Sequence, residues 1–392
     1  MSDPPVHVNR RMRPFGTSIF AEVSAAAAAH GAINLGQGFP DDDGPEPVRR
    51  AAADAVVAGP NQYAPLAGLP VLRRAVAAWM RRTQAVDVDA DREVTVVAGA
   101  TGGMADAMLG LLEPGDGVIL IEPWYDAYPA AVAMAGGRCR FATPVAPDYR
   151  IDRTVLEAAV DDRCRVLVVN SPHNPTGRVF DETEWDAIES FVVEHDLVLV
   201  SDEVYEALTY DAPHRSPLRR PRLRDRTIVV SSIGKSFSLT GWKIGWTVAS
   251  PGLTEAVRAS HQFTIFSVAT PLQIGAATAL GLPNETFEDL RRDHRERRDL
   301  LVEGLDAAGL HPIVPEGTYF VLADVGRLGI TDDRAFCDRL LREVGVAAIP
   351  TSAFHHDGRP GPVRFAFCKR REVLLEAIDR LGRLRRPGGR GP

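Results

Sequence analysis

The sequence predicts an α/β protein in which helices cover a mainly parallel sheet in a large domain, with a smaller α+β domain beside it. Strand-like and helix-like segments alternate from residue 93 to residue 231, as crossover connections between parallel strands require. The segments 166–169 and 197–200 are apolar throughout, which fits strands buried on both faces. A chain of 392 residues also exceeds the size at which one hydrophobic core stops growing.

The elements follow in order along the chain. Segments 45–57 and 69–82 have helical spacing. The alternating region comprises strands 93–98, 117–122, 138–142, 165–169, 197–201 and 227–231, with helices 101–113, 126–135, 152–160 and 181–195. After Ile244 the pattern changes to helices 251–262, 270–281, 285–308, 332–343 and 371–384, with strands 318–323, 346–350 and 362–367. We therefore expect a large domain at 46–284 and a small domain built from 1–45 and 285–392. The Arg-, Gly- and Pro-rich tail from Arg385 is expected to be solvated and disordered.

Composition narrows the function class. The chain is 45% hydrophobic and 25% charged, as in globular proteins, and its net charge of −7 is dispersed, which gives nucleic-acid binding no support. No apolar run approaches the ~20 residues of a membrane helix, so no membrane partner is expected. The four cysteines are widely separated, which fits neither structural zinc nor a disulfide framework and predicts a cytoplasmic location. His355 and His356 lie in a Gly- and Pro-rich loop and are expected to be exposed rather than metal-bound, so no metal site is predicted.

The segment from Thr227 to Ala249 carries the clearest chemical signal. It combines a strand, a turn of small residues around Lys235, and a second strand. A lysine aimed from a strand end into a cleft is typical of a Schiff-base nucleophile. Lys243 lies between two glycines and Ser232 precedes Lys235 by three residues, an arrangement that suits a phosphate. Together these residues predict a pyridoxal phosphate site.

Three loops at strand ends support this hypothesis. Residues 99–103 (Gly-Ala-Thr-Gly-Gly) join a strand to a helix, where free backbone amides bind anions. In the loop 170–177, two prolines hold the amide of Asn174 in a fixed direction. Asp202 and Tyr205 follow the strand 197–201, where a carboxylate can pair with a protonated pyridine nitrogen and a tyrosine can reach the neighbouring phenolic oxygen. Ligands of open α/β sheets bind at this edge.

These motifs resemble those of a known family. NLGQGFP, NQY, SPHNPTG, SDEVYE, GKSFSLTGWKIGW and VRFAFCK occur in order between Phe15 and about Leu384. The chain resembles the fold-type I pyridoxal-phosphate-dependent class I aminotransferases, in particular the kynurenine/glutamine aminotransferases and the actinobacterial N-succinyldiaminopimelate aminotransferases. The resemblance implies transfer of an amino group from an L-amino acid to a 2-oxo acid by a ping-pong mechanism, in a homodimer with shared active sites.

The resemblance also implies a role for individual residues. Lys235 would form the Schiff base with the cofactor, Asp202 would bind the pyridinium nitrogen, Asn174 and Tyr205 would hold the ring oxygen, and Tyr125 would stack on the ring. The phosphate would be held by Ala100, Thr101, Ser232, Lys243 and a partner subunit's Tyr63. The substrate carboxylate would be taken by Arg364, Gly38 and Asn174, with Phe20 and Phe266 lining the side-chain pocket.

Some positions depart from the family pattern, and other functions stay open. Phe20 stands where relatives often have tryptophan, Thr101 and Ser267 stand where they have an aromatic residue or histidine, and the loop after Ala353 is short. Because these positions shape the pocket, the amino donor is not fixed by the resemblance.

Two alternative functions stay open. A pyridoxal-phosphate β-lyase would use the same lysine, and a cofactor-binding regulator would need an additional DNA-binding domain.

Overall fold

The computed structural model describes residues 9–385, and the predicted tail from residue 386 onward lies outside this range. Its largest sheet has seven strands in the spatial order β2-β8-β7-β6-β5-β3-β4. All neighbours are parallel except β8, which runs antiparallel to both β2 and β7. The strands of this sheet are β2 (Val94–Val97), β3 (Gly117–Ile121), β4 (Arg138–Ala142), β5 (Cys164–Asn170), β6 (Val198–Asp202), β7 (Thr227–Ser232) and β8 (Gly245–Ala249). The predicted mainly parallel α/β architecture is confirmed.

Helices cover both faces of this sheet and bury two apolar layers against it. Its central strands β5, β6 and β7 are buried almost throughout, which is why each contains a run of apolar residues, with polar residues at the carboxyl end. The helices around it are α2 (Glu46–Ala58), α3 (Pro70–Gln84), α4 (Gly99–Leu111), α5 (Ala127–Ala135), α6 (Arg153–Glu157), α7 (Glu182–Glu194), α8 (Ile233–Ser236), α9 (Pro251–Thr264) and α10 (Thr270–Leu280).

Two smaller sheets lie beside the large one. A four-stranded antiparallel sheet has the order β12-β13-β10-β9, and the N-terminal β1 pairs in parallel with β11. Their strands are β1 (Ile33–Asn34), β9 (Pro312–Ile313), β10 (Phe320–Ala323), β11 (Val346–Ala347), β12 (Ile349–Pro350) and β13 (Val363–Ala366). The accompanying helices are α1 (Ile19–His30), α11 (Asn284–Ala307), α12 (Asp333–Arg339) and α13 (Arg371–Leu381).

Three predicted elements differ from the structure. The expected strand 346–350 is two short strands that belong to different sheets. The expected helix 332–343 ends at Arg339 and continues as a wider π-type turn to Val344, where Gly345 adopts a left-handed conformation. Helix 152–160 is shorter than expected, because it spans only Arg153–Glu157.

Among the described residues, no helix is both long enough and apolar enough to cross a membrane.

Candidate active site

One cavity lies at the carboxyl ends of β5, β6 and β7, the edge where the sequence predicts ligand binding. Nine of the predicted site residues line it, together with others that were not assigned to the site. The nine are Ala100, Thr101, Tyr125, Asn174, Asp202, Tyr205, Ser232, Lys235 and Lys243, and the others include Gly99, Tyr128 and Asn170.

Lys235 lies on the one-turn helix α8, directly after β7. Its Nζ donates to the carbonyl oxygen of Gly38 at 3.4 Å and lies 5.9 Å from the centre of the Tyr205 ring. Burial lowers the pKa of Lys235 from 10.5 to about 8, so the unprotonated fraction near neutral pH is far larger than for an exposed lysine, at about a tenth. A neutral amine is the nucleophilic form, and it also serves as a general base.

Asp202 ends β6 and is almost completely buried. Tyr128 Oη donates to its Oδ2 at 2.7 Å and the amide of Val204 donates to its Oδ1 at 3.2 Å. Burial nevertheless raises the pKa of Asp202 from 3.8 to about 6. That change is equivalent to about 3 kcal/mol in favour of the neutral acid. A cation placed against this carboxylate would recover that free energy, and the protonated ring nitrogen of pyridoxal phosphate is such a cation.

An anion cradle lies at the start of α4. Gly99 opens the helix with a φ of +67°, and a Cβ placed there would lie 3.3 Å from Nζ of Lys243. A side chain at Gly245 would collide with the backbone of Gly99 and Ala100, so glycine alone lets β8 run this close to the helix start. Helix N-terminal amides and an ammonium group at one place match the charge of a phosphate. The residues present therefore fit the phosphate of the predicted cofactor.

Arg364 supplies a buried positive charge on β13. Its guanidinium donates to Asn174 Oδ1 at 2.9 Å and to Gly36 O at 2.7 Å. Its Nε has no partner among the described residues, and no carboxylate in residues 9–385 forms an ion pair with it. Burial lowers the pKa of Arg364 to about 10, which leaves it cationic at neutral pH. A buried cation without a counter-charge is costly, so this site favours an anionic group from a ligand.

Aromatic rings surround this arginine. Its guanidinium carbon lies 4.0 Å from the ring centre of Phe320, 5.0 Å from that of Phe20 and 5.7 Å from that of Phe354. Phe20 also lies 6.3 Å from the Tyr125 ring and 5.8 Å from the Phe354 ring. The predicted pocket residues Phe20 and Tyr125 are thus brought together with Arg364.

Two further predicted site residues, Tyr63 and Phe266, lie on the exposed surface of the single chain. Tyr63 is 82% exposed and Phe266 is 44% exposed, and their rings meet edge to face at 5.4 Å. Ser267 Oγ donates to the carbonyl of Ala64 and thereby ties the two loops together. Phe263 and Ile265, which precede Phe266 in the same segment, are exposed as well.

Sequence reasoning missed four residues around the site. Tyr128 donates a hydrogen bond to the Asp202 carboxylate. Asn170 connects Asp202 to the loop 170–177: the Asn170 Nδ2 donates to the Asp202 carbonyl, and the Asn170 Oδ1 accepts from the amide of Asn174. Tyr319 Oη donates to Gly38 O at 2.6 Å. Phe354 is the fourth. Tyr128 follows Tyr125 by three residues, so its position one helical turn away was the available signal.

The expectation of exposure was wrong for His355 and holds for His356. The side chain of His355 is only 7% exposed and lies 3.5 Å from the buried carboxylate of Glu122, whereas that of His356 is 42% exposed although its Nδ1 also contacts this carboxylate. The Gly- and Pro-rich composition of the loop predicted solvent contact, but a tertiary contact places the His355 ring inside.

The family model of aminotransferase class I and II matches residues 30–381. Among curated proteins, a probable N-succinyldiaminopimelate aminotransferase of Mycobacterium tuberculosis is 46% identical over 95% of this chain and 97% of its own length. A methionine aminotransferase of Escherichia coli is 39% identical over 98% of this chain and all of its own length. The solved structure of the N-succinyldiaminopimelate aminotransferase from Mycobacterium tuberculosis superposes with a TM-score of 0.94 at 45% identity, covering 96% of this chain and 100% of the other. The chain therefore belongs to the class I and II aminotransferases, enzymes that depend on pyridoxal phosphate to move an amino group from an amino acid to a 2-oxo acid.

Proposed function

We propose that this enzyme binds pyridoxal phosphate through Lys235 and transaminates L-amino acids with long, sulfur-containing or aromatic side chains, with 2-oxoglutarate or a related oxo acid as acceptor. The convergence of Lys235, Asp202 and the Lys243 cradle on one cavity carries the proposal. When bound, the cofactor supplies an electron-withdrawing ring that acidifies the α-carbon hydrogen of the attached amino acid.

Each residue of the cavity has a defined task toward that cofactor. Asp202, held by Tyr128 and Asn170, would keep the ring nitrogen protonated. Tyr125 would stack on the ring, and Asn174 and Tyr205 would donate to its phenolic oxygen. Ala100, Thr101, Ser232 and Lys243 would hold the phosphate. Once displaced by the substrate, the Lys235 amine would carry the proton away from the α-carbon, because burial already favours its neutral form.

Arg364 would orient the substrate. Its planar guanidinium offers a two-pronged contact to an α-carboxylate, with Asn174 beside it and Gly38 on the other wall. The aromatic rings of Phe20, Tyr125 and Phe354 would then face the substrate side chain. An isolated distal carboxylate against these rings would lack a partner, at a cost on the order of several kcal/mol.

A half-reaction panel tests the donor class. Methionine, glutamine, kynurenine, N-succinyldiaminopimelate and aspartate are each added to the loaded enzyme, and conversion of the cofactor to its amino form is followed in a single turnover. We expect aspartate to react at least about tenfold more slowly than the best donor, since burying its second carboxylate unpaired is unfavourable. Aspartate as the fastest donor would contradict the apolar pocket. Release of ammonia and pyruvate from a β-substituted donor without an oxo acid would identify the lyase reaction instead.

We further propose a homodimer in which Tyr63 and Phe266 complete the partner's active site. Both are exposed in the single chain and their rings are in contact, and Phe263 and Ile265 nearby in sequence are also exposed; exposed apolar residues grouped in this way are typical of an interface.

Subunit mixing tests this sharing. Lys235→Ala and Tyr63→Ala are each expected to be nearly inactive, whereas verified heterodimers should recover up to about a quarter to a half of the wild-type rate per dimer, because one hybrid site receives both intact residues. Mixing Lys235→Ala with Asp202→Asn is the control. Both residues line the same cavity of one chain, so each site of that heterodimer keeps one defect and no activity should be recovered. Heterodimers of Lys235→Ala and Tyr63→Ala without recovery would exclude sharing.

We also propose the division into a large domain at 46–284 and a small domain at 1–45 and 285–392. The separate seven-stranded and four-stranded sheets support it. A cytoplasmic location is proposed because all four cysteines are free thiols.

A further inference from the structure

A buried carboxylate, Glu122, makes a set of contacts that the cofactor site does not explain. Glu122 follows β3 directly and is fully buried. Its Oε1 accepts bonds from the amide of His356 at 2.7 Å and from the Nδ1 of that ring at 3.0 Å. Its Oε2 accepts from Thr143 Oγ1 at 2.6 Å and lies 3.5 Å from His355 Nδ1. The carboxylate thus joins the large sheet to residues 351–358, which we name the histidine loop.

The carboxylate remains charged over the working pH range. Burial alone would raise its pKa, but contacts from His355, Thr143 and His356 together lower the pKa of Glu122 to about 2. A carboxylate whose pKa is lowered on folding contributes stability at every pH above its unfolded-state pKa of 4.5. This contribution is lost as the pH falls from there toward the folded-state pKa of about 2. Glu122 is therefore available as a charged acceptor for the histidine loop at neutral pH.

The histidine loop is fixed at both of its ends. At its base, Asp333 Oδ2 accepts from the amide of Ser352 at 2.8 Å, and Thr351 Oγ1 donates to Pro362 O at 2.6 Å. At its far end, Glu122 accepts hydrogen bonds from His356 and lies 3.5 Å from the His355 ring, and the His356 ring stacks on Phe141 at 4.5 Å. The loop therefore bridges the antiparallel sheet and the large sheet.

Phe354 lies within this loop and is almost completely buried. The amide of Trp124 donates to its carbonyl at 3.1 Å, so the segment that carries Tyr125 is attached to the same loop. The Phe354 ring lies 5.8 Å from Phe20 and 5.7 Å from the guanidinium of Arg364. Any loosening of the histidine loop would consequently change the aromatic wall beside the substrate-orienting arginine.

We propose that Glu122 is a positioning residue for substrate selection: by holding His355 and His356 it fixes Phe354 against Phe20 and Arg364, and so sets the preference for donors with large apolar side chains. The part of this inference that concerns donor preference rests on the proposed function. Glu122 itself contacts neither the substrate nor the cofactor.

Glu122→Gln tests the proposal, because it removes the charge while keeping the shape. Glu184→Gln is the matched control, since Glu184 is equally buried but bonds to Arg178, Ile151 and Asp181 instead of the histidine loop. Two readouts are used: hydrogen exchange of residues 351–358 in the cofactor-free protein, and KM and kcat for methionine and alanine in the loaded enzyme. Phe354→Leu and its combination with Glu122→Gln complete the set.

In Glu122→Gln we expect exchange in the histidine loop to accelerate about tenfold, as the loss of one net hydrogen bond to a charged group would cause. KM for methionine should rise about tenfold relative to KM for alanine, with a smaller change in kcat. In the Phe354→Leu background, Glu122→Gln should change the methionine-to-alanine KM ratio by less than about twofold more, because both substitutions act through the Phe354 ring. Glu184→Gln should leave the loop exchange and the methionine-to-alanine KM ratio unchanged.

Unchanged hydrogen exchange in the histidine loop of folded Glu122→Gln protein would overturn the proposal. An equal increase in KM for methionine and for alanine would overturn it as well. A shift of the KM ratio by Glu184→Gln of the same size would overturn it too. If the wild-type enzyme failed to transaminate any donor, the proposed function would fall, while accelerated exchange limited to Glu122→Gln would still support the positioning of the loop.

Discussion

Lys235→Ala is expected to lower the rate of amino transfer by about 10⁴-fold or more, because one residue supplies both the cofactor attachment and the proton carrier. The variant keeps Asp202, Arg364 and the phosphate cradle, so it should still bind the cofactor noncovalently. Single-turnover conversion with methionine measures the effect. A small added amine such as methylamine should restore part of the proton transfer, since the lost side chain leaves space beside Gly38.

Lys369→Ala is the control for this prediction. Lys369 also lies near the site, but it pairs with Asp41 and donates to Phe39 O, outside the cavity. We expect it to retain most of the activity. Lys235→Ala protein that kept more than about a tenth of the wild-type rate would refute the assigned role.

Arg364→Lys is expected to lower kcat/KM for amino acids by about 10²-fold, because a lysine cannot reproduce the two-pronged carboxylate contact and also leaves Asn174 and Gly36 without their donors. Most of the loss should appear as an increase in KM. An amine that lacks the α-carboxylate should react equally slowly with both proteins, since it never uses the guanidinium.

Arg178→Lys provides the comparison. Arg178 is another largely buried arginine, but its partner is Glu184, away from the cavity. It should change stability rather than donor selection. An Arg364→Lys enzyme within about threefold of the wild-type kcat/KM would show that another group binds the carboxylate.

The central α/β architecture was predictable because its information is local. Strands buried on both faces contain continuous apolar runs, and the helices between them carry their own periodicity. The turn around Lys235 and the opening of α4 at Gly99 were readable for the same reason, since glycine and small residues mark them directly. The irregular strands were not: Val346-Ala347 and Ile349-Pro350 look like one strand but pair with two different sheets.

The residues that sequence reasoning missed act through tertiary contacts. Nothing local in the run Ala353 to Asp357 shows that Glu122, more than two hundred positions earlier, contacts both histidines and that His355 is buried beside it. Phe354 enters the pocket wall for the same reason. Tyr128 was nearer to being predictable, because helical phase places it beside Tyr125. The roles of Tyr63 and Phe266 depend on a second chain and remain predictions.

Covalent mapping of the cofactor tests the central claim most directly. The sequence contains only three lysines, Lys235, Lys243 and Lys369, so borohydride reduction of the reconstituted protein followed by peptide mass analysis distinguishes every candidate. We predict a pyridoxyl phosphate adduct on the peptide that contains Lys235 and none on the other two lysines. An adduct on Lys243 or Lys369, or no adduct after reconstitution, would contradict the account.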